Sequence, residues 1–174
     1  MSTGSVASTP WTARSPDRST FPLSDLVSHH DDPWRLLVAV HEMGHAVVWH
    51  HAGFTVEDIR VIGHGQDTSG YVRLEQRPLR LPIQFQNCLV GLLAGREADR
   101  RWCDLTGQSP QESGSSADAT VFRRMREDDN QSTRWVTDLS DREFVAMARR
   151  AVVTHWTQIT RLASQLARRG VVTL

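Results

Sequence analysis

Residues 41–45, with the sequence HEMGH, constrain this chain more than any other stretch, because their types and spacing together prescribe a reaction. They lie within an apolar run, residues 34–51, that contains no proline and is typical of a helix. Residues four apart share one face of an α-helix, so His41 and His45 can direct ring nitrogens at one Zn²⁺. Glu42 lies one step round the helix, where a carboxylate can act as general base on an activated water. The pentapeptide therefore predicts a zinc hydrolase, and its alternative is an amphipathic helix that happens to carry histidines.

Length and charge restrict the class of protein. The chain has 174 residues, 39% of them hydrophobic and 23% charged, which predicts one globular domain with a full core. Twenty basic residues balance twenty acidic ones, so no net charge favours nucleic acid or an anionic membrane as partner.

The apolar segments and the spacing of the two cysteines indicate the cellular compartment. No apolar run approaches the roughly 18 residues of a membrane span, and the N-terminus lacks the apolar core of a signal peptide. Cys88 and Cys103 fall in one predicted helix, about 22 Å apart at ~1.5 Å per residue, which is too far for a disulfide. We therefore expect reduced thiols in a cytoplasmic protein without a membrane span.

Composition divides the chain into a tail and a folded domain. Residues 1–30 are rich in Ser, Thr, Pro and Asp and show no hydrophobic period, so we expect a disordered N-terminal tail followed by one domain, residues 31–174. Asp32 and Pro33 form a helix start, and Gly53 is a plausible stop.

The remaining pattern predicts a mainly α fold with a small β hairpin and a long C-terminal helix. The hairpin comprises residues 55–62 and 70–74, followed by a helix over residues 83–101. A loop at 104–116 then leads to a third helix that begins at Ser115 or Ser116. The capping-box pattern of Ser140 and Glu143 opens the long last helix, on which we expect His155 to be a core or interface histidine.

A catalytic zinc site needs a third protein ligand. His51 has the spacing of one ligand class, but Val48 replaces the glycine that would let the helix turn there. Glu97 and Asp118 on downstream helices and His64 on the hairpin loop are the other candidates. Spacing alone does not rank Glu97 against Asp118.

Four motifs in order resemble the peptidase domain of the FtsH family of zinc proteases. They are the zinc helix at 40–47, a strand and glycine-rich loop at 61–66 with 69–71, a helix at 92–98 similar to a Gly-Gly-Arg motif, and an aspartate-bearing segment at 114–120. The resemblance implies that His41, His45 and Asp118 are zinc ligands and that Glu42 is the catalytic carboxylate. It also implies a mostly helical fold with a small β element.

FtsH-family members carry an ATPase module and membrane segments upstream, whereas no glycine-rich phosphate loop occurs in this chain. We therefore expect a stand-alone, ATP-independent zinc metalloendopeptidase that cleaves polypeptides. A separate ATPase or a second copy of the chain is an expected partner. The strand near residues 61–62, or the one at 71–74, is the expected docking edge for an extended substrate.

The alternative is a non-catalytic zinc-bearing adaptor that works with a separate ATPase or another partner. Glu42 argues against this alternative, because a purely structural zinc site closes its fourth position and needs no base.

Overall fold

The structure, a computed structural model, describes residues 32–108, 113–127 and 138–174. Its elements, in chain order, are α1 (Pro33–His51), β1 (Val56–Ile62), a 3₁₀ turn (Gly65–Asp67), β2 (Ser69–Leu74), α2 (Pro82–Thr106), α3 (Ser113–Glu127), α4 (Asp141–Thr154) and α5 (Trp156–Arg169). The predicted fold class, mainly helical with a small antiparallel sheet, is confirmed. The predicted tail at 1–30 lies outside the described residues.

Helix α1 is the centre of the domain. Asp32 accepts a hydrogen bond from the Arg35 backbone N–H at 3.0 Å, as expected of its N-cap. The helix packs against α2, α5 and the sheet, and residues 36–49 are buried except Val38. His41 and His45 are buried together with the apolar residues, because neighbouring elements cover several sides of the helix.

The predicted hairpin is a two-stranded antiparallel sheet in which Val61 pairs with Gly70. On its other edge β1 meets the C-terminal residues, since the Val61 N–H donates to the Gly170 carbonyl at 3.0 Å and Arg60 bridges to Val171. Within the described ranges, the outer edge of β2 pairs with no strand.

Helix α2 continues to Thr106, so the loop predicted at 104–116 begins later than expected. Gly107 ends the helix in the left-handed conformation, with φ 73°, and its N–H donates to the Cys103 carbonyl at 2.9 Å. Cys88 and Cys103 both lie on α2 as free thiols. No helix in the described segments is long and apolar enough to cross a membrane.

The C-terminal helical segment comprises two consecutive helices that meet at His155, where φ is −105° and ψ is 15°. The predicted capping box is present, with the Ser140 N–H donating to the Glu143 carboxylate at 2.7 Å. The break lets α4 pack on α2 while α5 packs on α1. His155 is half-buried at this junction, and its ring stacks on that of His51 with centroids 3.8 Å apart.

Candidate metal centre

Three side chains from two helices converge on one point. The Oδ2 atom of Asp118, on α3, lies 3.1 Å from His41 Nε2 and 3.0 Å from His45 Nε2. The two Nε2 atoms are themselves 3.1 Å apart. Adjacent ligands of a tetrahedral ion with bonds of 2.0–2.1 Å stand about 3.3 Å apart, so the spacing fits such an ion closely. His41, His45 and Asp118 can therefore hold a metal ion.

The other ring nitrogen of each histidine is hydrogen-bonded away from this point. His41 Nδ1 donates to Asp99 Oδ2 at 2.7 Å, and His45 Nδ1 donates to the Gly91 carbonyl at 2.8 Å. A proton held on Nδ1 leaves the lone pair of Nε2 free to bind a metal. Both imidazoles are thus oriented so that their Nε2 atoms can bind a metal ion.

Both orienting groups come from one face of α2, on which Gly91, Gly95 and Asp99 recur at four-residue spacing. A Cβ atom on Gly95 would lie 2.2 Å from His45 Nε2, so only glycine leaves room for the ring. This face was not identified from the sequence, although a Gly-x₃-Gly-x₃-Asp pattern opposite a histidine helix could have indicated a close helix contact that ends in a hydrogen-bond acceptor.

Trp49, one turn after His45, covers the imidazole ring of that histidine. The two rings stack with centroids 5.2 Å apart and planes inclined by 20°. The indole N–H donates to the Cys88 carbonyl at 3.1 Å, which anchors the ring to α2. A Cβ atom on Gly91 would come within 2.2 Å of the indole, so this glycine accommodates Trp49. The sequence does not predict this role of Trp49, because a buried Trp on an apolar helix has no distinguishing local pattern.

Glu42 lies beside the ligand cluster and packs against the start of β2. Its side chain is buried, and a Cβ atom on Gly70 would lie 2.6 Å from Glu42 Cγ. Burial raises the pKa of Glu42 above its usual range, although the neighbouring His45 and His41 act in the opposite direction. The carboxylate is held close to the ligands without belonging to them.

The same carboxylate faces a cleft of about 410 Å³. One side of the cleft is formed by α1 and the other by residues 66–70, and His41, Glu42 and Asp99 are among its lining residues. Glu42 and His41 therefore line one and the same cleft.

The charges of the side chains around His41 and His45 favour the binding of a cation. Burial opposes protonation of His41, but hydrogen bonds to Asp118 and Asp99 and the charges of Asp99 and Glu42 outweigh it and raise the pKa of His41 to about 10. Burial likewise acts to raise the pKa of Asp118, but hydrogen bonds from His41 and His45 hold it well below its usual range. Three carboxylates thus surround two imidazoles, which is an environment that stabilises positive charge.

The other third-ligand candidates lie elsewhere. Glu97 accepts from Arg149 Nε at 2.9 Å and joins α2 to α4. His51 donates to the side chain of Gln158 at 2.8 Å, and the exposed His64 lies 3.6 Å from Asp32. None of the three joins the ligand cluster.

The chain matches no protein-family model and no curated protein. The resemblance to the FtsH family therefore rests on the four sequence motifs and remains a prediction.

Proposed function

We propose that this chain is a zinc-dependent metallopeptidase that hydrolyses peptide bonds with Glu42 as general base. The observation that carries the proposal is the position of Glu42, a buried carboxylate that lines a cleft together with the ligand His41. Two imidazoles and one carboxylate form a typical ligand set of catalytic zinc, which leaves one coordination position open for substrate or water. A structural zinc site would require neither the open position nor the adjacent carboxylate.

Each residue of the site has a separate role. His41, His45 and Asp118 hold the ion, and Asp99 and the Gly91 carbonyl keep the two imidazoles in the ligating tautomer. When bound, zinc supplies Lewis acidity and lowers the pKa of a water molecule. Glu42 accepts the proton of the attacking water and then delivers it to the leaving amine.

The outer edge of β2 is the better of the two docking edges that the sequence suggested for an extended substrate. Ser69 and Gly70, at the start of this strand, line the cleft beside Glu42. The outer edge of β1 is met by Gly170 and Val171, whereas that of β2 has no strand partner within the described ranges. An added peptide strand on β2 would pass directly by the general base.

The test combines zinc content with peptide cleavage for the parent protein, Asp118→Ala and Glu42→Gln. We expect about one zinc per chain in the parent and in Glu42→Gln, and much less in Asp118→Ala. Loss of a general base should lower kcat/KM by about 10²–10⁴-fold. Glu75 is half-buried and pairs with Arg77 outside the cleft, so Glu75→Gln provides a matched control that should keep full activity.

Full cleavage activity in zinc-loaded Glu42→Gln would contradict the assignment of the base. A parent protein that binds zinc but cleaves peptides no faster than Glu42→Gln would contradict the peptidase proposal and favour the adaptor. Full zinc content in Asp118→Ala would contradict the ligand set.

A further inference from the structure

One charged side chain that lines the cleft has no role in the ligand cluster. Asp67 ends the 3₁₀ turn between the strands and is exposed, and it lines the cleft across from α1. Among the described residues, its carboxylate has neither a hydrogen-bond donor nor a cationic partner. The carboxylates of Asp32 and Asp58, by contrast, are engaged by neighbouring donors.

The turn that carries Asp67 is braced from several sides. The Gly65 N–H donates to Asp32 Oδ2 at 2.9 Å, which ties the turn to the N-cap of α1. The Asp67 N–H donates to the His64 carbonyl at 3.2 Å, and the Thr68 hydroxyl donates to the Gly65 carbonyl at 2.8 Å. Asp67 is therefore presented by a turn with a defined conformation, as a binding residue requires.

The wall contributed by α1 is apolar next to the ligand cluster. Leu37 is buried and Val38 is half-buried, and both line the cleft within one helical turn of His41. An apolar surface facing a carboxylate complements a side chain with an aliphatic stem and a cationic head. Lysine and arginine have this form, whereas an acidic side chain would be repelled by Asp67.

We propose that the cleft selects polypeptide substrates that carry arginine or lysine next to the scissile bond, with Asp67 as the residue that binds the cation. This inference rests on the proposed peptidase function and adds its substrate class. The aliphatic stem packs on Leu37 and Val38 while the cationic head meets Asp67.

The test uses zinc-loaded protein and two quenched fluorescent peptide libraries that are identical except for one fixed residue, arginine or its neutral isostere citrulline. We expect the parent to cleave the arginine library with about threefold to fivefold higher kcat/KM, as for an exposed charge pair, and the ratio to fall to about one in Asp67→Asn. Raising the ionic strength to about 0.5 M should shrink the preference of the parent, because salt screens an exposed pair.

Glu57→Gln is the matched control, since it removes one negative charge from an exposed position on β1 outside the cleft. It should leave the arginine-to-citrulline ratio at the parent value. Equal cleavage of the two libraries by the parent, or an equal fall of the ratio in Asp67→Asn and Glu57→Gln, would overturn the inference while leaving the peptidase proposal intact.

A measurement of peptide binding distinguishes failure of the cation-site inference from failure of the proposed peptidase function. Fluorescence anisotropy with zinc-loaded Glu42→Gln should show tighter binding of arginine peptides, and adding Asp67→Asn should abolish that preference. If the parent cleaves neither library but this binding preference is present, the peptidase function is overturned and the cation site stands. If cleavage and the binding preference are both absent, both proposals are overturned.

Discussion

Asp99 supports the candidate metal centre through His41 without entering the ligand set. Its Oδ2 accepts from His41 Nδ1 at 2.7 Å in a buried setting. The negative charge fixes the ring orientation and makes the opposite nitrogen a stronger ligand. At the scale of single residues, Asp99 therefore orients the ring through which His41 can bind an ion.

Asp99→Asn should weaken zinc binding by about 10- to 100-fold, because the amide removes the charge while keeping an acceptor oxygen. Competition with a chromophoric chelator measures the zinc dissociation constant. Asp104→Asn, an exposed change on the same helix, should leave the constant unchanged within about twofold. Parent-like zinc affinity in Asp99→Asn would show that the negative charge of Asp99 does not strengthen zinc binding by His41.

At the scale of elements, the contact between α1 and α2 depends on Gly44. A Cβ atom at this position would lie 2.7 Å from Ala98 Cβ and 2.8 Å from the Ala94 carbonyl oxygen. One neighbour is a Cβ atom and the other a backbone oxygen of α2, so the clash cannot be relieved by rotating a long side chain.

Gly44→Ala should lower the free energy of unfolding by about 1–3 kcal/mol, as overpacked core substitutions do. In an uncrowded helix the same change raises stability by about 1 kcal/mol, so the sign of the effect reports the helix contact. Urea unfolding of the zinc-free parent and variant measures this change in the free energy of unfolding without a contribution from metal binding. A stabilised variant would show that the helices are not in close contact at Gly44.

The junction of α4 and α5 contains a histidine that resists protonation. Burial and the charge of the stacked His51 lower the pKa of His155 to about 4. An unfolded histidine titrates near 6.5, so between pH 6.5 and 4 the unfolded chain binds a proton that the folded chain does not. Stability should therefore fall as the pH falls through this window.

His155→Phe should remove this part of the pH dependence, on the order of 1 kcal/mol after allowance for solvent screening. The measurement is the difference in unfolding free energy between pH 7 and pH 4.5 for parent and variant. His64→Gln alters an exposed histidine and should keep the pH dependence of the parent. An identical pH profile for His155→Phe and the parent would mean that His155 titrates normally in the folded state.

At the scale of the whole molecule, Arg35 joins three parts of the chain. Its guanidinium donates to the carbonyls of Val61, Gly63 and Ala167, the first at 3.1 Å. It therefore connects the end of β1, the loop that leads to the cleft, and the last turn of α5 to the start of α1. Gly63, with φ 82°, turns one of these carbonyls toward it.

Arg35→Met should destabilise the fold by about 2–4 kcal/mol, because it leaves three part-buried carbonyls without a donor. Arg35→Lys should rescue only part of this loss, since one ammonium cannot reproduce the planar fork of a guanidinium. Thermal and urea unfolding of both variants provide the measurement. Equal stability of Arg35→Lys and the parent would show that the three-way geometry is not needed.

Local patterns in the sequence predicted those features that depend on residues within about one helical turn. The N-cap at Asp32, the capping box at Ser140, the helical placement of HEMGH and the two strands of the hairpin belong to this class. The interactions that stabilise these features join residues one to four positions apart, so the local sequence alone determines where the features occur.

Tertiary packing decided which distant residues meet the two histidines. Asp118 lies 77 and 73 positions after His41 and His45, and no local pattern distinguished it from Glu97. Glu97 faces Arg149, whereas Asp99, two positions later on the same helix, faces His41. Residues two apart on a helix point in nearly opposite directions, so the rotation of α2 against α1 assigns their roles. That rotation depends on glycines at the helix contact and on side chains from several elements, which are brought together only when the whole domain has folded.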